Sequence, residues 1–178
     1  QAVLQMAEAV NVERIITIGV SPDNLAKVMA LVDEYPQVWG TQGIHPHDAN
    51  DYTADVEAQI RANAMHPKIL AIGEIGLDYH YDYSDRLKQR AAFENQLQIA
   101  VDLDMPIVVH TREADEDTQA ILQNFSSQLK KRGVIHSFTS GKALAEYCLS
   151  EGFCLGFNGI STFKPADNVR EIIALTPP

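Results

Sequence analysis

Short apolar runs alternate with amphipathic stretches along the entire chain. Gln1 to Glu13 carries Val3, Met6, Ala7 and Val10 at helical spacing. Arg14 to Val20 is a compact apolar run suited to a strand buried on both faces. Ser21 and Pro22 then supply a cap and a first-turn residue for a helix reaching Tyr35, just before Pro36. The same unit recurs. Strands are predicted at Val38–Ile44, Ile69–Ile75, Ile107–His110, Val134–Phe138 and Phe153–Asn158. Helices are predicted at Thr53–Ala64, Asp85–Leu103, Asp115–Lys131, Lys142–Glu151 and Asn168–Leu175. Strands alternating with helices in this way specify a parallel α/β sheet.

No low-complexity tract or linker interrupts the pattern, so residues 1–178 are read as one domain. A closed (β/α) barrel needs about eight strands, and the pattern supplies about six. The chain opens in a helix and ends at Thr176-Pro177-Pro178, where a further strand would follow. The expected architecture is therefore a TIM-like barrel truncated at both ends, without its first and last strands.

Composition narrows the field. At 178 residues and 46% hydrophobic, the chain can bury a real core. No run approaches the roughly 20 apolar residues of a membrane span, and the N-terminus lacks the basic start and apolar run of a signal peptide. Cys148 and Cys154 lack Cys-x-x-Cys spacing, which points to a reduced, cytoplasmic protein with two small buried hydrophobes. A net charge of −10 argues against broad, charge-driven duplex binding. It leaves open a nucleic-acid substrate whose phosphates are neutralised by metal ions. No stable protein partner is expected.

Three strand-like runs end in a metal-capable side chain: Glu74, His110 and His136. Parallel barrels gather their chemistry at the C-terminal ends of the strands, so these three would meet in space. A carboxylate in a run as apolar as Ile69–Gly76 is expensive to bury unless it is paired or bound to metal. A salt bridge for Glu74 and hydrogen-bonded core roles for the histidines are the alternatives, but the coincidence of three favours a divalent-metal centre. His45 and His47 follow another strand; His45 is read as contacting substrate or supporting a ligand. Arg112 could face a phosphate with its planar fork, or pair with Glu113 or Asp115. Asp78 could orient a histidine or cap the next segment. Lys164, after the last strand, could meet an anionic substrate or stay solvated. His66 reads as a surface residue. No phosphate loop, nucleophile elbow or His-Glu-x-x-His pair is present.

The segments Gly43–His47, Ile72–Tyr79, Gln89–Ala100, Pro106–Arg112, Ile135–Phe138 and Gly156–Gly159 together resemble the TatD family of metal-dependent hydrolases, over nearly the whole chain. The resemblance implies a TIM-like barrel with two divalent cations (Zn, Mn or Mg) per complete site. It implies that Glu74 bridges them and that His110 and His136 bind one. It also implies a deoxyribonuclease, with 3′-to-5′ exonuclease action on single-stranded DNA or another phosphodiester. Hydrolysis of small esters or amides, such as aminoacyl esters, is the second reading. A catalytically inactive fragment or binding module on the same scaffold is the third. The family's His-x-His pair on the first strand and metal-binding Asp on the last strand have no counterpart in this chain, and Ser140 replaces a glycine usual after the Ser-Phe-Thr segment.

Overall fold

The computed structural model describes residues 2–178. Six parallel strands form one sheet: β1 (Ile15–Thr17), β2 (Val38–Gln42), β3 (Ile69–Asp78), β4 (Ile107–Arg112), β5 (Gly133–Ile135) and β6 (Cys154–Leu155). Their order across the sheet is their order in the chain. No strand reverses the winding, as would happen at the switch point of a doubly wound sheet. The result is a curled, half-barrel sheet of the TIM-like kind. All six C-terminal strand ends share one rim, so side chains distant in sequence converge there.

Seven helices connect and flank the strands: α1 (Ala2–Ala9), α2 (Pro22–Glu34), α3 (Ala54–Ala64), α4 (Arg86–Asp102), α5 (Asp115–Phe125), α6 (Lys142–Ser150) and α7 (Asp167–Leu175). Each coincides with a predicted helix, but ends differ. The expected helix start at Gln1 lies outside the described residues. α1 stops at Ala9, short of Glu13, because Asn11 takes a left-handed φ of 61°. The Val12 N–H then bonds Ala7 O at 2.9 Å and the Asn11 N–H bonds Glu8 O at 3.0 Å, closing a Schellman turn. α5 stops at Phe125 rather than Lys131, and Arg132 takes up free carbonyls beyond it, including Ser126 O at 2.6 Å. β3 and β4 outrun their predicted ends because they pair with each other as far as Asp78 and Arg112. β5 and β6 are shorter than expected. Cys154 is exposed, against the expectation of burial, because β6 forms the sheet's edge; Cys148 in α6 is buried as expected.

The core forms where α4 lies on β3. Phe93, Leu97 and Ile99 are sealed against Ile72, Ile75, Leu77 and Ile107. β3 is buried at nearly every position, the pattern of an interior parallel strand. A smaller cluster joins Val28 and Val32 of α2 to Val38 and Ile69.

α4 also buries two polar residues on the same face. Gln96 accepts the Ile44 N–H at 2.7 Å and donates to Ile44 O at 3.2 Å. Gln89 accepts the Asp78 N–H at 2.9 Å and donates to Asp78 O at 3.1 Å. Each amide thus satisfies both backbone groups of one residue at the exit of β2 or β3, as a neighbouring strand would.

Gly76 sets the approach of β3 to β4. Its φ is +136°, and a Cβ there would lie 1.9 Å from His110 O. Gly76→Ala is expected to lower stability by about 3 kcal/mol or more, by strain and displacement of His110. Gly159→Ala, where a Cβ would meet nothing within 4 Å, should stay within about 0.5 kcal/mol of the parent. Urea denaturation of both variants measures the contrast.

Candidate metal centre

Glu74 is the extra residue of a β-bulge. β3 and β4 pair Gly73 with Val108 and Ile75 with Val109, leaving Glu74 without an opposite number. Bulges re-aim side chains and loosen the ladder locally. The Glu74 N–H turns instead to Gly19 O at 2.8 Å, beyond β1. Gly73 permits this path, since any Cβ there would lie 2.6 Å from Val108 Cβ.

His110, opposite Gly76 in the ladder, places Nδ1 3.4 Å from Glu74 Oε1. Its Nε2 lies 2.9 Å from Asp78 Oδ2. His45 follows β2, where its N–H bonds Val20 O at 2.8 Å. Its ring centroid is 4.4 Å from that of His110. One donor atom each from His45, Glu74 and His110 fall within 4.8 Å of one another, compact enough to hold a cation.

His136 follows β5 and extends its ladder, its N–H bonding Val109 O at 2.7 Å. The side chain is exposed and lies outside that compact group of His45, Glu74 and His110. His136 is still near enough for its charge to act on Glu74. Arg112 ends β4 with its guanidinium 4.8 Å from the Tyr81 ring centroid. Neither expected ion pair of Arg112 forms among the described residues. Glu113 instead meets His80 at 2.7 Å, and Asp115 accepts the Gly141 N–H at 2.8 Å. Arg112 also borders an open hollow of about 620 Å³, with Tyr79, Asp117, Thr139 and Asn168 among its walls. Lys164 is exposed, in a segment held by Arg170 through Ser161 O, Phe163 O and Lys164 O. His66 pairs with Asp33 at 3.2 Å, away from the rim.

Asp78 ties the site together. Its Oδ2 takes both His110 Nε2 and His47 Nε2, the latter at 3.0 Å. Its Oδ1 accepts the N–H groups of His80 and Tyr81 at 3.1 and 2.9 Å. Burial pushes the Asp78 carboxyl up, but the Tyr81 N–H and the two histidines outweigh it and bring it down to about 2. For Glu74, too, burial is overcome by the His110 hydrogen bond and the fields of His45, His110 and His136, so its carboxyl is held low. Burial, reinforced by His110, drives His45 down to about 3. At neutral pH the rim therefore holds two carboxylates and a neutral His45.

Gln89 and Gln96 escaped the sequence reading. Their signal is two glutamines seven residues apart on the buried face of a long helix, which puts amides where apolar side chains are the norm.

A curled parallel sheet with a carboxylate and imidazoles at its C-terminal rim defines the class of barrel hydrolases that work through bound metal. The comparisons agree. The sequence matches the family described as TatD related DNase over residues 1–178. It is 36% identical over 177 residues to the metal-dependent hydrolase YabD of Bacillus subtilis, covering 99% of this chain and 69% of that protein. It is 33% identical over 177 residues to the 3′-5′ ssDNA/RNA exonuclease TatD of Erwinia tasmaniensis, covering 98% of this chain and 68% of that protein. The crystal structure of YJJV, a TatD homologue from Escherichia coli, superposes with a TM-score of 0.91 at 29% identity, over 99% of this chain and 68% of that one. The chain belongs to the TatD related DNase family and is a metal-dependent hydrolase acting on ester bonds.

The depressed pKa of His45 fixes a pH dependence. The folded chain keeps His45 neutral down to about pH 3, whereas the unfolded chain protonates it below about 6.5. Stability from this group is fully present above 6.5 and is lost as pH falls. The slope reaches at most about 1.4 kcal/mol per pH unit. Urea denaturation at pH 7 and pH 5 should show a larger loss in the parent metal-free chain than in His45→Asn.

Proposed function

We infer that the site hydrolyses phosphodiester bonds of single-stranded DNA from the 3′ end, through divalent cations held at the rim. The observation that carries this reading is Glu74, placed in a bulge 3.4 Å from His110 and kept ionised in a nearly buried position. The donor set fits. A carboxylate and imidazoles suit Zn²⁺ or Mn²⁺, and Mg²⁺ can serve where carboxylate and water dominate. Glu74, His110 and His136 are the residues that would hold the cations. A divalent cation bound there would lower the pKa of a water it holds from about 15.7 towards about 7.

The chain's own residues divide the remaining work. With a cation at Glu74, donation by His110 Nε2 to Asp78 would leave the Nδ1 lone pair for that cation in place of the bond to Glu74, so Asp78 would set the tautomer and the ring orientation. His45 Nδ1 accepts the His47 N–H at 3.2 Å, which places the proton of a neutral ring on Nε2. His45 is then a donor to an anionic substrate oxygen rather than a ligand. Arg112, free of carboxylate partners among the described residues, can grip a phosphate. Lys164 can meet a more distant one. The relatives' names supply the substrate class: an exonuclease on single-stranded DNA and RNA in Erwinia tasmaniensis and a deoxyribonuclease in Schizosaccharomyces pombe. No helix among the described residues is long and apolar enough to cross a membrane, and two free cysteines fit a reducing cytoplasm.

The test is release of nucleotides from a single-stranded oligonucleotide with Mg²⁺ or Mn²⁺, set beside a panel of aminoacyl esters. Glu74→Gln should lower the nuclease rate at least about 100-fold, and Asp78→Asn about 10- to 100-fold. An unchanged rate in Glu74→Gln removes the assignment, and a preference for aminoacyl esters replaces the substrate.

A further inference from the structure

The geometry points to a base-stacking platform on Tyr81 and Tyr83, beside the metal centre, that takes an unpaired nucleobase of a single strand; this rests on the nuclease reading above and specifies its substrate contact. Tyr81 and Tyr83 lie nearly parallel, with ring centroids 5.5 Å apart and an interplanar angle of 25°. Both are exposed, 45% for Tyr81 and 66% for Tyr83. Two large aromatics placed side by side in water are unfavourable for the free protein, and such patches mark binding surfaces.

The loop that carries the pair is anchored at both ends. The Tyr81 N–H bonds Asp78 Oδ1 at 2.9 Å. Three residues on, buried Ser84 donates to His47 O at 2.7 Å, accepts the Asn50 N–H at 3.1 Å and gives its carbonyl to Gln89 at 2.9 Å. With both ends of the loop fixed, binding a base costs little further ordering. His47 stands edge-on to both rings, 5.4 Å from Tyr81 and 4.8 Å from Tyr83. The same His47 shares Asp78 with His110. A base on the platform therefore lies a short, continuous run of contacts from the metal donors. Arg112, over Tyr81, supplies the local positive charge that a phosphate needs in a chain of net charge −10.

Every base has a π face, so such a platform tolerates any sequence but requires the base to be unstacked. That selects single strands over duplex without any base-edge contact. It also explains recognition of nucleic acid by an acidic chain, because stacking does not depend on net charge.

The experiment compares two hydrolysis-resistant phosphorothioate strands of equal length in Mg²⁺, one bearing bases and one wholly abasic, by fluorescence anisotropy. Tyr83→Ala should weaken the base-bearing strand about 5- to 150-fold and leave the abasic strand unchanged. Tyr83→Phe and Tyr83→Trp should bind like the parent. The proposal is overturned if Tyr83→Ala binds the base-bearing strand normally, if it loses both strands equally, or if Tyr83→Phe is as weak as the alanine variant. A parent chain that binds neither strand and cleaves no DNA, yet hydrolyses an aminoacyl ester, overturns the nuclease reading and the platform with it.

Discussion

A carboxylate with no solvent exposure must have its charge answered within the protein, or protonation replaces it. Asp78 is fully buried and keeps its charge because four donors surround it: two imidazoles on one oxygen and two peptide N–H groups on the other. This one arrangement sets three things together. It orients His110 toward Glu74. It draws His47 to the rim between His110 and the tyrosines. It also fixes the start of the loop that follows β3. Removing the carboxylate would leave imidazoles and N–H groups with no acceptor, so its influence reaches well past its own contacts.

The rest of the fold holds that hub in place. Consecutive parallel strands bring every C-terminal end to one rim, and the bulge at Glu74 frees a carboxylate from the ladder beside it. Gln89 completes the backbone of Asp78, while Gln96 does the same for Ile44, the residue before His45. Both amides come from α4, whose Phe93 and Leu97 are sealed in the core. Packing of this helix and geometry of the rim are thus mechanically joined. A change in how α4 seats would shift the exits of both β2 and β3.

Much of this was legible from the alternation of apolar runs and amphipathic stretches. All six strands and seven helices were predicted near their observed places, because interior parallel strands read as short apolar blocks. Glu74 and His110 stood out because each is polar at the end of such a block. Their close meeting was legible only through the barrel rule, not from spacing. The nearer neighbour of that pair is His45 rather than His136, a matter of side-chain direction that no strand-end rule carries. The left-handed turn at Asn11 and the exposure of Cys154 depend on a local backbone choice and on an edge position. Gln89 and Gln96 were hidden for a different reason: polar residues on a helix are read as solvent-facing until the backbone groups they serve are known.

The central claim is that Glu74 and the surrounding imidazoles hold a divalent cation. Titration of the metal-free chain with Mn²⁺, followed by electron paramagnetic resonance, tests it most directly. At least one ion per chain should bind, and binding should be lost in His110→Ala while that variant remains folded. A folded parent chain that binds no Mn²⁺, or a His110→Ala variant that binds it as tightly as the parent, would contradict the account.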